Sequence, residues 1–343
     1  LDIPATGIDK SAPSSAVLLF ADRAAQVRPN FALTEQNTAV IAEICSRLEG
    51  LPLAIELAAA RMRVLSPQNI LRKLDDKLTL LGGGPEDRPE RHRTMRGMVK
   101  WSYDLLSEPE QEMFRRLAVF RGGFRLEAAE EVCMVSGPAD LEPFELIASL
   151  TEKSLLTRRE LANGEMRLQM LEVVREYALE ALIESNEEDV IKRRHARYFA
   201  DFSDEAERYI QTTESAKWLD RLDEDHDNLR AAMRWTLEKD PDMAVRLAVS
   251  LRNFWILHGH LNEGFEWLMA ASSVGKPPAN ARFKLMNGLG LAARFRGDHE
   301  AARRAYVAGL KAGEEAEDLP GIAISCRGLG LVLMQSGDTE EAA

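Results

Sequence analysis

The fold of this chain is decided by the stretch Gly50-Leu51-Pro52-Leu53-Ala54-Ile55-Glu56-Leu57-Ala58-Ala59-Ala60-Arg61. Glycine readily takes the left-handed conformation that ends a helix, and proline fits the first turn of the next one. The stretch therefore predicts a break between two helices. The preceding segment has apolar residues at helical spacing, and the following one is small and apolar on one side. Because small residues let a second backbone approach closely, the stretch by itself predicts a tight helix corner in a bundle.

Residues 14–81 are predicted to form a small bundle of four helices. The helix starts are marked by capping residues or by proline in the first turn, at Ser14 or Ser15, Thr34, Pro52 and Ser66-Pro67. Residues 82–93 follow as a linker, because glycine and proline cluster there. A basic group occupies the end of this linker, at Arg88, Arg91, His92, Arg93 and Arg96. We interpret it as a solvated joint, with a phosphate or nucleic-acid contact as the alternative.

Residues 94–184 predict a winged helix. Ser107-Glu108-Pro109-Glu110 is a capping box ahead of an apolar helix. Two further short helices are expected at 126–133 and 143–153. An Asn-Gly turn at Asn163-Gly164 joins two extended runs, which is a strong signal for a β-hairpin. Helices followed by a two-stranded ribbon give the order of a winged helix, with one more helix at 171–183.

A winged helix raises the question of DNA binding, because its third helix normally enters the major groove. Here that helix would be 143–153, which offers Glu145, Glu152 and a single lysine. Residues 94–184 hold 11 Lys and Arg against 17 Asp and Glu, a net charge of −6. Since phosphate neutralisation supplies most DNA affinity, we expect a protein-packing module rather than a DNA reader, despite Arg158 and Arg159 on the wing.

From residue 185 onward the sequence predicts only helices, with a connector at 185–240 and repeats at 241–343. Glu214 to Trp235 is expected to be one long amphipathic segment. A shift of the sequence by 40 residues aligns small and turn residues, so each repeat unit is a helix, a Gly-Asp turn and a second helix. The matched pairs are Leu289/Leu329, Gly290/Gly330, Leu291/Leu331, Gly297/Gly337, Asp298/Asp338, Glu300/Glu340 and Ala302/Ala342. These units resemble tetratricopeptide repeats, and we expect the array to be cut short at Ala343.

The fold class that follows is mainly α: a small helical bundle, a winged helix with a short β-hairpin, and an α-solenoid of helix–turn–helix repeats. This order, together with Gly50-Leu51-Pro52-Leu53, resembles the NB-ARC class of nucleotide switches, the signal-transducing ATPases with numerous domains (STAND proteins). In that family the proline of the motif packs on the adenine of ADP or ATP. The resemblance implies cofactor contacts at Leu51 and Pro52, made only together with a missing P-loop domain, of which residues 1–13 would be the trailing loop.

The same resemblance points to Leu171. NB-ARC winged helices end their wing with Met-His-Asp, and the histidine reaches the β-phosphate of ADP. The matching residues here are Met170-Leu171-Glu172, so leucine replaces the histidine and cannot donate a hydrogen bond. We therefore expect ADP to be held less tightly in the parent protein. The alternative is that Leu171 is simply a core residue at the junction of the wing and the next helix.

Composition and missing motifs exclude other classes of function. The net charge of −12 argues against nucleic acid or an anionic membrane as the main partner, and no apolar run is long enough to cross a bilayer. Three scattered cysteines fit a reducing cytoplasm rather than a disulfide framework or a zinc site. Walker A and Walker B motifs and a defensible catalytic constellation are absent. The pair His258 and His260, alone on a turn, predicts no metal site.

The sequence thus predicts a non-enzymatic chain: the regulatory and sensing part of a slow signalling ATPase, a bacterial transcriptional regulator of the large LuxR or antibiotic-regulator type. The implied cofactor is ADP or ATP with magnesium, bound by the parent. The implied partners are the N-terminal nucleotide-binding domain, an effector protein or small molecule on the repeats, and further copies on activation, with no direct DNA contact and no membrane. A free-standing DNA-binding winged-helix protein and a pure repeat scaffold are the alternatives.

Overall fold

The structure, a computed structural model, describes residue 1 and residues 13–48, 50–80, 90–134, 142–161 and 164–336, without the side chains of 75–80, 90–94 and 336. Helices dominate this part of the chain, and its one sheet is a two-stranded antiparallel hairpin. The predicted mainly α fold class is confirmed. The chain divides into two compact units, Leu1–Ile191 and Lys192–Ala343.

The first unit begins with the four predicted bundle helices. They are α1 (Ser15–Val27), α2 (Glu35–Arg47), α3 (Pro52–Ala60) and α4 (Pro67–Leu80), with a 3-10 turn, Arg61–Arg63, after α3. Ser14 caps α1, and Thr34 caps α2 in a capping box with Asn37. Helix α3 packs on α1, and α4 packs on α2. The core between them consists of apolar side chains such as Phe20, Ile41, Ile44 and Ile55.

The winged helix follows in the same unit. Its elements are α5 (Glu90–Asp104), α6 (Glu108–Arg116), a 3-10 turn (Leu117–Val119), α7 (Leu126–Cys133), α8 (Pro143–Glu152), β1 (Thr157–Glu160), β2 (Met166–Gln169) and α9 (Glu172–Glu184). The strands pair with Thr157 opposite Gln169 and Glu160 opposite Met166, so the predicted hairpin is confirmed. Of its turn, Gly164 has φ +81°, whereas Asn163 lies outside the described residues.

Helix α5 begins earlier than the sequence pattern indicated. We expected a helix from Thr94 after a linker at 82–93, but α5 starts at Glu90, so the last four linker residues are helical. The rest of the linker, 82–89, lies outside the described residues, as do the side chains of Arg91, His92 and Arg93. Arg96 of the basic group forms an ion pair with Glu180 of α9, so this cation serves packing within the winged helix.

The second unit consists of helices. They are α10 (Glu188–Tyr209, which starts before the unit boundary), α11 (Ser215–Glu224), α12 (His226–Lys239), α13 (Pro241–Leu257), α14 (Leu261–Ser273), α15 (Ala279–Phe295), α16 (His299–Glu315) and α17 (Leu319–Ser336). The expectation of one continuous helix from Glu214 to Trp235 was wrong. Asp225 interrupts it with φ −99° and ψ 12°, and its carboxylate accepts a hydrogen bond from the Asn228 amide at 3.0 Å. Short acidic side chains that bond locally favour such helix ends.

In α13 to α17, consecutive helices pack on each other, as expected of helix–turn–helix repeats. Asp298 caps α16 by accepting a hydrogen bond from the amide of Ala301, and Gly297 before it has φ +78°, as the predicted Gly-Asp turn requires. The counterpart turn at Gly337-Asp338 lies outside the described residues. In the described part of the chain, no helix is both long and apolar enough to cross a membrane.

Candidate functional site

The Gly-Leu-Pro-Leu corner has the geometry that its sequence predicts. Gly50 adopts φ +66° and donates its amide to the carbonyl of Cys45 at 3.1 Å, which closes α2. Leu51 is the extended N-cap residue of α3, and Pro52 is its first residue. The Pro52 side chain is exposed and Leu51 is half-buried, whereas Ala54 and Ile55 are buried. The corner therefore presents the proline ring outward from a packed helix start.

The 3-10 turn after this corner joins the bundle to the winged helix. Arg61 is 5 % exposed, and its Nε and Nη2 atoms have no hydrogen-bond partner. Burial lowers the pKa of its guanidinium to about 10, and the negative charge of Glu110 opposes this shift. Arg63 forms an ion pair with Glu152 at the end of α8, at 2.6 Å. Ion pairs and charge interactions thus connect the bundle to the winged helix near the C-terminal end of α8.

Leu171 lies at the N-cap of α9, immediately after the wing. It is 37 % exposed, so the alternative that it is simply a core residue is wrong; the buried residue of this junction is Met170, at 6 %. Glu172 forms an ion pair with Arg175 at 2.6 Å, and Arg175 donates to the carbonyl of Ala118 at 3.2 Å. The backbone around Leu171 is therefore fixed while its side chain remains accessible.

Helix α5 connects the two predicted nucleotide contacts, because it packs on α3, which carries Pro52, and on α9, which follows Leu171. Both residues are exposed at the surface of the first unit. Leu51, Pro52 and Leu171 thus lie on elements that are held together by packing on α5. Whether a nucleotide lies against them stays a prediction.

Helix α8, the helix that enters the major groove in a DNA-reading winged helix, is acidic on its exposed side. Its exposed side chains are Phe144, Glu145 and Glu152. Lys153, just after it, turns inward and forms an ion pair with Glu110 of α6. Burial would raise the pKa of the Glu110 carboxyl, but hydrogen bonds from Lys153, Ser149 and the Ser107 amide lower it to about 2. Lys153 is thus engaged in holding α8 to α6.

A groove in the second unit runs along the first helices of successive repeat pairs, α13, α15 and α17. Its volume is about 400 Å³. We call it the repeat groove. Its polar lining includes four cations and two asparagines but no acidic side chain, and its apolar lining includes aliphatic residues of all three helices. The residues that define it are Gln211, Arg252, Asn253, Ile256, Phe283, Lys284, Asn287, Gly288, Leu291, Arg294, Tyr306, Ile324, Arg327, Gly328 and Leu331.

Tyr306 forms the floor of the repeat groove. Its ring is 3 % exposed and belongs to an apolar cluster with Ala293, Ala302 and Val332. Burial raises the pKa of its hydroxyl, and a hydrogen bond from Arg294 and the charges of Arg294 and Arg327 oppose the shift. Two arginines therefore lie close to one phenol at the same point of the groove, although Arg252 at its other end is paired with Glu207 at 2.6 Å.

Comparison with known proteins agrees with the architecture of the first unit. Residues 106–183 match the model of the family described as winged helix-turn-helix domain. This span runs from the start of α6 to the end of α9, with the hairpin as its wing. Residues 106–183 form a winged helix-turn-helix domain. The prediction of a winged helix from the capping box and the Asn-Gly turn is therefore confirmed.

Relatives extend the similarity beyond this domain. A protein of Mycobacterium tuberculosis H37Rv, provisionally named an HTH-type transcriptional regulator, is 42 % identical over 261 residues, which is 75 % of this chain and 29 % of the relative. A second M. tuberculosis protein, uncharacterized, is 40 % identical over 191 residues, or 55 % of this chain and 48 % of that protein. The chain thus spans less than half the length of either relative.

Among solved structures, the chain is similar to a STAND protein with a tetratricopeptide repeat sensor from Pyrococcus horikoshii. The identity is 15 % and the TM-score 0.45, with 96 % of this chain and 45 % of the other covered.

Sequence reasoning located the corner and the wing junction but missed the groove residues. Tyr306, Arg294 and Arg327 stand at unremarkable positions in helical patterns, and only the fold brings them together. One signal was available: Gly290, which the repeat pattern pairs with Gly330, lies against the Tyr306 ring, as does Gly328. Two glycines packed against the same aromatic ring indicate that their helices approach each other closely at that ring.

Proposed function

We propose that this chain is the regulatory and sensing part of a nucleotide-switched transcriptional regulator. A winged helix-turn-helix domain and a relative named as a transcriptional regulator support the regulatory role. The nucleotide switch rests on the resemblance of the Gly50-Leu51-Pro52-Leu53 corner to NB-ARC proteins. In this proposal the chain performs no catalysis, its parent is a slow cytoplasmic ATPase, and the bundle and winged helix control whether ADP or ATP with magnesium is retained.

The observation that carries the sensing role is the repeat groove. Four cations line it without an acidic neighbour among its lining residues, on a chain whose net charge is −12. Such a local reversal of charge attracts anions, and an arginine can pair a carboxylate or phosphate with two parallel hydrogen bonds. Aliphatic side chains between the cations, such as Leu291 and Ile324, would contact an apolar portion of the ligand. We therefore assign the groove to an anionic, partly apolar effector.

The nucleotide role is assigned to the first unit. Pro52, exposed at the start of α3, would contact adenine, with Leu51 beside it, once the P-loop domain of the parent is present. Leu171 would lie near the phosphates without donating a hydrogen bond. Its exposure supports this assignment, because a residue buried in the core could not face a nucleotide at all.

A nucleotide assay on the full-length parent tests the proposal. The parent, purified without added nucleotide and then denatured, should release about one ADP per chain, and Pro52→Ala should lower this amount without unfolding the protein, since the proline is exposed. Leu53→Ala serves as the matched control on the same helix turn. A nucleotide-free parent, or equal occupancy in all three proteins, would contradict the switch.

The alternative of a DNA-reading winged helix requires a different result. Fluorescence anisotropy with duplex DNA at physiological salt should show no binding by this chain, because the exposed side of α8 is acidic and Lys153 is paired with Glu110. Sequence-dependent binding that is lost on replacing Arg158 and Arg159 would establish the alternative instead.

A further inference from the structure

Histidines and carboxylates converge at the turn between α13 and α14. His258 and His260 flank Gly259, whose φ of +85° turns the chain sharply between them. Asp223, on the last turn of α11, places its Oδ1 atom 3.1 Å from His260 Nε2 and 3.8 Å from His258 Nδ1. These three ligand atoms all lie within 4.8 Å of one another. Two imidazoles from one turn thus share a carboxylate from a different helix.

These separations match the spacing of ligands around one metal ion. Zinc binds imidazole nitrogen and carboxylate oxygen at about 2.0–2.2 Å, so two ligands of a tetrahedral site lie about 3.3–3.6 Å apart. The two measured distances fall on either side of this range, and small rotations of half-exposed side chains would bring both into it. Imidazole and carboxylate ligands suit Zn²⁺ better than the alkaline-earth cations.

A third histidine lies beside the turn. His226 is 7 % exposed, and its Nε2 atom lies 3.4 Å from Glu263 Oε1. Its ring lies 4.2 Å from the ring of His260, centroid to centroid. This imidazole therefore faces Glu263 and does not belong to the group that Asp223 forms with the two turn histidines.

His226, His260 and Glu263 form an overlapping group, but Glu263 is already occupied. Arg230 donates to both of its oxygens, at 2.7 and 2.6 Å, and Trp267 donates to one of them at 3.0 Å. A metal there would have to displace a guanidinium and then bind beside its positive charge. Asp223, in contrast, forms its ion pairs with His258 and His260, and among the described residues no arginine or lysine is paired with it. Of the two groups, the one that contains Asp223, His258 and His260 is therefore the better metal site.

We propose that Asp223, His258 and His260 form a binding site for a divalent transition metal, with Zn²⁺ as the fitting ion. Asp220 Oδ1 lies 3.9 Å from His258 Nε2, where a carboxylate would orient the imidazole while Nδ1 binds the metal. The surrounding run is acidic, with five carboxylates between Asp220 and Asp227. The half-exposed Asp223 leaves the remaining coordination position to water or to a further ligand.

The consequence of binding is a crosslink within the second unit. Asp223 belongs to α11 of the connector, whereas His258 and His260 belong to the turn of the first repeat pair. An ion held by both would join two elements that are 35 residues apart in sequence, from Asp223 to His258. Because a ligand that binds only the folded state stabilises it, zinc would make this junction resistant to unfolding.

The test is metal titration of the untagged 343-residue chain after treatment with a chelator. ZnCl₂ calorimetry should give one site per chain, and CoCl₂ should produce the visible absorption bands of low-coordinate cobalt. Asp223→Asn should weaken zinc binding by at least about 100-fold, since even the loss of an outer-shell partner costs about 10- to 100-fold. His299→Gln, which removes a histidine outside the cluster, should leave affinity and stoichiometry unchanged.

Two variants keep the result decisive. Glu263→Gln should retain zinc binding, because Glu263 is not a ligand in the proposed site. Loss of binding in Glu263→Gln with retention in Asp223→Asn would overturn the proposal, as would the absence of both zinc heat and cobalt bands in the wild type. Since Asp223 is exposed, its variant should melt like the metal-free wild type, and only the wild type should gain stability on adding zinc.

Discussion

Gly328 of α17 lies directly against the ring of Tyr306 on α16. A Cβ atom at position 328 would come within 2.4 Å of Tyr306 Cε1, and one at Gly290 of α15 would lie 3.0 Å from the same ring. Two glycines from neighbouring helices therefore allow α15 and α17 to close over one buried phenol. This contact places Arg294 and Arg327 at the floor of the repeat groove.

Replacing Gly328 by alanine should destabilise the second unit. Although alanine favours a helix by up to about 1 kcal/mol, inserting a methyl group into a filled space typically costs about 1–3 kcal/mol. Gly288→Ala is the matched control, because its nearest neighbour would be Arg252 Cβ at 3.3 Å. Thermal melting should rank Gly328→Ala below Gly288→Ala. The reverse order would mean that Tyr306 has room to move.

The winged helix should lose stability at acid pH through Glu110. Its folded-state pKa of about 2 lies below the usual 4.5, so the ionised carboxylate stabilises the fold. This contribution, on the order of 3 kcal/mol, is fully present above about pH 4.5 and is lost as the pH falls toward 2.

Glu110→Gln should therefore lower the urea concentration at which α6 and α8 unfold, as monitored by hydrogen-exchange mass spectrometry. The decrease should be clear at pH 7 and much smaller at pH 2.5. The exposed Glu145 provides a control, since Glu145→Gln should change neither midpoint. A pH-independent difference between Glu110→Gln and the wild type would show that the effect is steric rather than electrostatic.

The chain by itself should neither hydrolyse ATP nor bind ADP appreciably. Pro52 offers only an apolar contact to adenine, and one ring contact cannot replace the phosphate interactions of a P-loop. Isothermal titration calorimetry of the chain with ADP and magnesium checks this directly. Micromolar affinity would refute it and would require a phosphate site within this chain.

Restoring a histidine at position 171 should slow ADP release from the parent. A charge-assisted hydrogen bond contributes roughly 1.5–3 kcal/mol, which corresponds to about a 10- to 100-fold change in affinity. Because Leu171 is 37 % exposed, Leu171→His should leave the core intact. Leu171→Ala, which removes the same side chain without adding a donor, should not slow release. An unchanged off-rate in a folded Leu171→His protein would mean that this position never faces the nucleotide.

Local signals predicted the fold well, because helix starts and hairpin turns depend on a few adjacent residues. Ser14, Thr34, Pro52 and Ser107 each begin a helix in the structure, as their capping chemistry indicates. The break at Asp225 was missed because the apolar periodicity continues across it. Only its side-chain hydrogen bond with Asn228 reveals the end of α11.

Sites assembled from distant segments were harder to foresee. His258 and His260 alone gave no reason to expect a metal ion, since their third partner, Asp223, lies on another helix. Likewise, Arg294 and Arg327 meet at Tyr306 only after three helices have packed. Spacing along one helix determines which residues share its face, whereas the juxtaposition of two helices depends on the whole fold.

A thermal-shift titration of the chain with small anions shows whether the repeat groove senses an anionic effector. The probes are sets of dicarboxylates, phosphate monoesters with an aliphatic group, and matched uncharged analogues. At 100 times its Kd a ligand stabilises the folded state by about 2.7 kcal/mol, enough to raise Tm by several degrees. We expect an anionic probe, but not its neutral analogue, to raise the Tm of the wild type and of the surface control Lys311→Gln. The same probe should not raise the Tm of the double variant Arg294→Gln/Arg327→Gln. Equal stabilisation of that double variant, or none of the wild type by any anion, would contradict the account.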